Sequence, residues 1–307
     1  MTKLNHVIES QQFTLPLIHE IFQVADQMEK IFERGGTLDY QNKIMASLFY
    51  APSTRTRFSF ESAMYRLGGK VITTEQAHMF SSVIGGETLE DTIRVVSNFA
   101  DVIVLRHTEI GAAKRASLVS KVPIINAGDG KGGQHPTQAL LDLYTIYKEL
   151  GYIDGLKVAF VGDLEQGRTV RSLAYLLGKF ERVMLYFIAP DFLQIKEDIQ
   201  DYLIRHNVWF TLENDLNKVI SEVDVVYVTR IEKERFGDKI ELYEKTVKNY
   251  FIDKDVLQKL KQKAIIMHPL PRLNEISIEV DDDPRAVYFK QTRNGLLVRM
   301  ALLTMVL

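Results

Sequence analysis

The stretch Val158-Ala159-Phe160-Val161-Gly162-Asp163-Leu164-Glu165-Gln166-Gly167-Arg168-Thr169 decides the fold. Four apolar residues run into a glycine turn, and a helical pattern follows. An apolar run without alternation is what a strand buried on both faces requires. The same unit recurs outward from this stretch, in Ile44–Tyr50, Val102–Leu105, Val122–Asn126, Val183–Ile188, Val223–Thr229 and Ala264–Met267. Helical patterns follow most of these runs. Strands alternating with helices predict an α/β protein with doubly wound parallel sheets.

The length agrees, since 307 residues at roughly 150 per domain suggest two domains. One long helix marks the join. Pro136 suits its first position, and Ala139, Leu140, Leu143, Ile146, Tyr147 and Leu150 lead to Gly151. The expected division is a first domain of residues 1–150 completed by a terminal helix 292–307, and a second of 151–291. The mid-chain and terminal helices would link the two.

Composition removes several classes of function. Lys+Arg 38 against Asp+Glu 40 gives a net charge of −2, so nothing electrostatic invites nucleic acid or an anionic membrane. The absence of cysteine excludes disulfides, thiolate nucleophiles and Cys-ligated metal. No apolar run approaches the roughly 18 residues of a membrane span. The start, MTKLNHVIESQQ, lacks a secretory profile, so a cytoplasmic protein is expected, or an organellar one if a transit peptide was removed.

Five stretches carry chemistry. Pro52-Ser53-Thr54-Arg55-Thr56-Arg57 joins a strand to a helix, with Ser53 at the N-cap position. A helix opening with free N–H groups, three hydroxyls and two guanidiniums makes a phosphate cradle. A capped helix with solvated arginines is the plainer reading. His135-Pro136-Thr137-Gln138 follows the glycine-rich turn Gly128–Gly133 and puts an imidazole and an amide at the opening of the long helix. Such a His either caps the helix or donates to a carbonyl oxygen as it gains charge.

Gly162–Thr169 resembles a dinucleotide turn but lacks G-x-G-x-x-G, so no nicotinamide cofactor is expected. Arg168 reads instead as an anion ligand. Thr229-Arg230-Ile231-Glu232-Lys233-Glu234-Arg235 and His268-Pro269-Leu270-Pro271-Arg272 each follow a buried strand at its carboxyl end, where open α/β sheets place ligands. The first of these also has the look of a solvated charge run.

These stretches, with Arg106-His107 between the first two, resemble in order and spacing the aspartate carbamoyltransferase family along essentially the whole chain. Gly86-Glu87-Thr88-Leu89 and Asn126-Ala127-Gly128-Asp129 resemble the same family. The resemblance implies carbamoyl transfer from carbamoyl phosphate to the amino group of L-aspartate, an early step of pyrimidine synthesis. It implies a homotrimer whose active sites are shared between subunits, with no metal, no cofactor and no enzyme nucleophile. Ser53, Thr54, Arg55 and Thr56 would hold the phosphate, and Arg106 would bridge phosphate and carbonyl. His135 would polarise the carbonyl oxygen. Gln138 and the Pro269 and Leu270 carbonyls would hold the carbamoyl NH2. Arg168 and Arg230 would clamp the two carboxylates of aspartate, with Glu232 and Leu270 beside them. Ser81 would come from the neighbouring subunit.

Two positions depart from the family. Its loop normally reads Ser-Ser-x-x-Lys-Gly-Glu, but here the lysine position is Gly85, and no lysine lies between Lys70 and Lys114. Glu232 stands where the family usually has Gln. Both changes make the site less positive. The readings left open are an active enzyme that compensates, a weak or inactive homologue serving as a binding or regulatory partner, and a carbamoyltransferase with another acceptor amine. Retention of Arg168 and Arg230 argues against the last. Regulatory chains or a dihydroorotase as partners are not legible in the sequence.

Overall fold

The apolar runs pair as parallel strands in two separate sheets. The computed structural model describes residues 1–75 and 86–307, and these fall into two units, Met1–Leu141 with Arg293–Leu307, and Asp142–Thr292. The division passes through the mid-chain helix at Leu141/Asp142, earlier than residue 150. Its reason is local: Asp142 is held by Tyr227 and Gln291, both of the second unit.

In the first unit, β1 (Ile44–Phe49), β2 (Lys70–Glu75), β3 (Val102–Arg106) and β4 (Ile124–Asn126) form one parallel sheet in the order β2-β1-β3-β4. Helix α1 (Leu15–Glu33) is capped by the Thr14 hydroxyl and buries Ile18, Ile21, Phe22, Ala25 and Met28 at helical spacing. α2 (Thr54–Arg66) follows β1 and buries Phe60, Ala63 and Met64. α3 (Leu89–Val96) and α4 (Ala112–Val119) follow, and α5 (Pro136–Leu150) opens in this unit.

In the second unit, β5 (Lys157–Val161), β6 (Met184–Ile188), β7 (Trp209–Glu213), β8 (Val225–Val228) and β9 (Ile265–Met267) form a parallel sheet ordered β7-β6-β5-β8-β9. Its helices are α6 (Arg168–Leu177), α7 (Glu197–Arg205), α8 (Ile240–Asn249), α9 (Lys254–Lys259) and the start of α10 (Tyr288–Val306). Phe160 stacks on Phe187 at 5.3 Å and meets Tyr227 edge-on at 5.6 Å in the sheet's core.

All seven runs read from the sequence appear as strands. β2 and β7 do not emerge from that reading, because they are partly exposed edge strands. The opposite edges stay apolar because other backbone covers them, through bridges Val7↔Ile125 and Ile266↔Ala286. Among the described residues no helix is long and apolar enough to cross a membrane.

Both strand orders reverse once, between β1 and β3 and between β5 and β8. These are the topological switch points where doubly wound sheets open a crevice beyond the strand ends. Gly162, at the second of them, has φ +119°, and an added Cβ would lie 2.4 Å from the Thr229 carbonyl oxygen. Only glycine lets β5 turn this close to the end of β8. Gly162→Ala is therefore expected to lower unfolding free energy by about 2–3 kcal/mol, read as a drop in urea midpoint at unchanged slope.

Candidate active site

The first half of the site grows from the carboxyl edge of the first sheet. β1 ends at Phe49, opposite Arg106 of β3, and the Tyr50 N–H donates to the Arg106 carbonyl at 2.9 Å. Three residues later Ser53 takes the N-cap position of α2, but its hydroxyl makes no capping bond. The helix opening thus keeps that hydroxyl and its own N–H groups for other partners. Thr54 and Arg55 are exposed there, and Thr56 is buried.

Arg57 is held within its own unit. It lies 3.1 Å from Glu75 at the end of β2 and 3.9 Å from Glu61 one turn along α2. Those two carboxylates tie it to the helix and the edge strand. The cradle read from the sequence therefore has one exposed arginine at the helix opening, Arg55.

Arg106 closes β3 and donates from Nη1 to the Ala127 carbonyl at 3.0 Å, which anchors it across to the loop after β4. That loop is folded back on itself, since the Asp129 N–H donates to the Gln134 carbonyl at 3.0 Å. The Asp129 carboxylate accepts the Gly111 N–H at 3.1 Å and so pins the opening of α4. The return delivers His135 to the start of α5, buried, with Nδ1 3.4 Å from the Thr137 hydroxyl. Gln138 follows in the first turn, also buried.

His107 packs on Tyr50 at 4.7 Å, and its Nδ1 accepts the Glu109 N–H at 3.0 Å. An accepting Nδ1 is the neutral ring. Burial first, and Arg115 nearby, hold His107 below the ordinary imidazole value despite Glu109 and Glu90. His6 accepts the Ile124 N–H at 3.1 Å, and burial lowers it likewise.

The second half grows from the second sheet. Arg168 is the first residue of α6, after the N-cap Gly167. The Thr229 hydroxyl donates to the Val161 carbonyl at 3.0 Å and fastens the end of β8 to β5. Arg230 comes next and pairs with Glu232 at 2.7 Å. Arg235 binds Asp163 at 3.3 Å and Glu165. The charge run is thus largely an internal network rather than a solvated face, and it joins the turns after β5 and β8.

After β9, the His268 Nδ1 accepts the Leu270 N–H at 2.7 Å, and its Nε2 donates to Glu275 at 2.8 Å. Glu275 also accepts the Leu273 and Asn274 N–H groups at 3.1 and 3.0 Å. Burial pushes the Glu275 carboxyl up, but these hydrogen bonds, His268's foremost, bring it below its usual range. Leu270 sits at φ +56°, between Pro269 and Pro271. Arg272 is taken up by Asp281 and by the Tyr288 hydroxyl at 2.9 Å.

Ser53, Thr54, Arg55, Thr56, Arg106, His135 and Gln138 thus share the carboxyl edge of one sheet. Arg168, Arg230, Glu232, Pro269 and Leu270 share that of the other. Ser81 and Gly85 lie outside the described residues. Asp142 and Gln291, buried polar groups of the second unit, escaped the sequence reading. The signal for Asp142 was there, as a carboxylate set among Leu140, Leu141 and Leu143.

Two doubly wound units carry arginines and hydroxyl groups on the turns at their sheets' carboxyl edges, and the family comparisons give the class of enzyme, a carbamoyltransferase. Residues 5–148 match the family described as Aspartate/ornithine carbamoyltransferase, carbamoyl-P binding domain, and residues 154–306 match its Asp/Orn binding domain; the chain belongs to this family. Within it, the chain falls among the aspartate carbamoyltransferases. It is 56% identical to the chloroplastic aspartate carbamoyltransferase of Arabidopsis thaliana, over 99% of this chain and 78% of that protein. It is similar to the solved catalytic subunit of aspartate transcarbamoylase from M. jannaschii, with TM-score 0.92, 51% identity and coverage of 99% and 98%. It is also similar to aspartate transcarbamoylase from Trypanosoma cruzi in complex with N-(phosphonacetyl)-L-aspartic acid, with TM-score 0.93, 40% identity and coverage of 99% and 96%.

The two depressed histidines set a pH dependence. The folded protein binds protons at these rings less readily than the unfolded chain, which takes them up near pH 6.5. Stability is then greatest above that pH and falls as the pH drops below it. The urea midpoint should be lower at about pH 5.5 than at about pH 7.5. His6→Gln, which keeps an acceptor for the Ile124 N–H, should flatten that drop.

Proposed function

We propose that the chain transfers the carbamoyl group of carbamoyl phosphate to the amino group of L-aspartate, giving N-carbamoyl-L-aspartate and phosphate. The observation that carries this reading is the division of labour between the two sheets. Arg55, Arg106 and His135 lie on the edge matched to a carbamoyl-P binding domain, and Arg168 and Arg230 on the edge matched to an Asp/Orn binding domain. Relatives named aspartate carbamoyltransferase, at 52–56% identity over nearly the whole chain, support the same acceptor. No observation favours a different amine or a non-catalytic role.

In this reading Ser53, Thr54, Arg55 and Thr56 hold the phosphate at the opening of α2, where N–H groups and the helix dipole favour an anion. Arg106 spans phosphate and carbonyl oxygen. His135 donates to that oxygen as the amine attacks and charge collects there. Gln138 and the carbonyls of Pro269 and Leu270 hold the carbamoyl NH2. Arg168 and Arg230 take the two carboxylates of aspartate, since forked guanidiniums match planar carboxylates. The C–N bond forms, the C–O bond to phosphate breaks, and the departing phosphate takes the amine proton. Positioning and charge stabilisation supply the rate, without a covalent enzyme intermediate.

We take the working unit to be a homotrimer, with Ser81 lent to the neighbour's phosphate site. Support comes from exposed apolar side chains, Phe58 and Tyr65 two turns apart on α2 and Ile72 on the edge strand β2. We assign the enzyme to an aqueous compartment, the cytoplasm or an organelle interior, since both substrates are charged metabolites. The plant relatives are named chloroplastic.

A colorimetric assay of carbamoyl aspartate tests the reading, and absence of product with both substrates saturating would overturn it. Arg55→Ala should lower kcat/KM by about a thousandfold, in the range of a lost charge-stabilising donor. Arg57→Ala should instead chiefly lower the melting temperature. Glu232 occupies Arg230, so an incoming carboxylate must displace it. Glu232→Gln should lower KM for aspartate by roughly three- to tenfold, about 1 kcal/mol of charge competition. Gly85→Lys should raise kcat by at least about fivefold, since a charge pair at about 4 Å is worth roughly 1–4 kcal/mol.

A further inference from the structure

A buried polar chain runs through the second unit to the loop after β9. The Tyr227 hydroxyl of β8 donates to Asp142 Oδ2 of α5 at 2.7 Å. Gln291 of α10 donates from Nε2 to Asp142 Oδ1 at 2.6 Å, and its Oε1 accepts the His268 backbone N–H at 3.1 Å. Asp142 and Tyr227 are 0% exposed, Gln291 and His268 1%. A carboxylate so deep in a fold is costly unless both oxygens are engaged, and here both are.

The far end of this chain is a segment with few donors. Pro269 and Pro271 have no N–H. The two N–H groups that residues 268–271 do possess are both consumed, His268's by Gln291 and Leu270's by the His268 ring. Toward a ligand the segment offers carbonyls rather than N–H groups. Gln291 suits the junction because one amide supplies a donor at one oxygen and an acceptor at the other. An apolar side chain there would remove both the bond to Asp142 and the bond from the His268 N–H.

We infer that Asp142 and Gln291 are positioning residues, which fix the backbone of the His268–Pro271 segment and so the direction of its carbonyls. The inference rests on the reading above, in which the Pro269 and Leu270 carbonyls hold the carbamoyl NH2. Tyr227 anchors Asp142 from the sheet side and is separate from the arm that reaches the loop.

Three variants of the ligand-free and turning-over enzyme test this. Gln291→Met, close in volume, should speed amide exchange across the His268–Asn274 loop and lower kcat, each by at least about tenfold, with KM for aspartate moving less than about threefold. Gln291→Asn keeps an amide but is one methylene too short to bridge both partners. It should give the same signature and stands in should the methionine variant fold poorly. Tyr227→Phe should lower the melting temperature yet leave loop exchange and kcat within about twofold of the parent, because the arm from Asp142 through Gln291 persists. Unchanged exchange and kcat in both Gln291 variants would overturn the inference. So would activity falling in Tyr227→Phe in step with its loss of stability, which marks a merely structural network. A parent enzyme without carbamoyl transfer would instead remove the functional reading, while the exchange result would still judge the positioning.

Discussion

A parallel sheet lets the chain leave every strand at the same edge, and this constraint organises the protein. Each strand must be followed by a crossover that returns the chain to the opposite edge. Every turn after a strand therefore gathers on one side of its sheet. In the first unit these are the turns bearing Ser53–Thr56, Arg106 and His135. In the second they bear Arg168, Arg230 and the His268–Arg272 loop. The order of strands then reverses once in each sheet and opens the crevice that such turns line.

Charge near these turns is sorted by what holds it. Arg57, Arg235 and Arg272 are bound to carboxylates of their own unit, by Glu75, by Asp163 and Glu165, and by Asp281. They fix backbone. Arg55 stands exposed at a helix opening, and Arg106 donates to the Ala127 carbonyl. Arg230 is intermediate, since its partner Glu232 is two residues away and half-exposed. A partly exposed ion pair of this kind is weak enough for a substrate carboxylate to replace.

The loop after β9 shows the same economy in neutral groups. Its prolines remove donors, its histidine absorbs one that remains, and a glutamine absorbs the other. A segment whose N–H groups are taken up presents acceptors, and the buried arm from Asp142 through Gln291 fixes that presentation. Rigidity of this sort suits a reaction whose rate comes from placing reactants rather than from a covalent enzyme intermediate.

The sequence by itself determined the α/β class, the inner strands, the long helix from Pro136 to Leu150 and the turns that carry chemistry. It did so because strands buried on both faces are written as unbroken apolar runs, and turns between strand and helix as glycine, proline and hydroxyl clusters. The edge strands β2 and β7 were not legible, since a partly exposed strand does not have to be apolar throughout. Nor was the difference between Arg55 and Arg57, which the string Thr-Arg-Thr-Arg writes alike. Only the tertiary structure sets Glu75 beside Arg57, or joins Asp142 to a glutamine 149 residues away. Pairing between distant residues leaves no local pattern in a chain, because the geometry that creates it exists only after the sheets have formed.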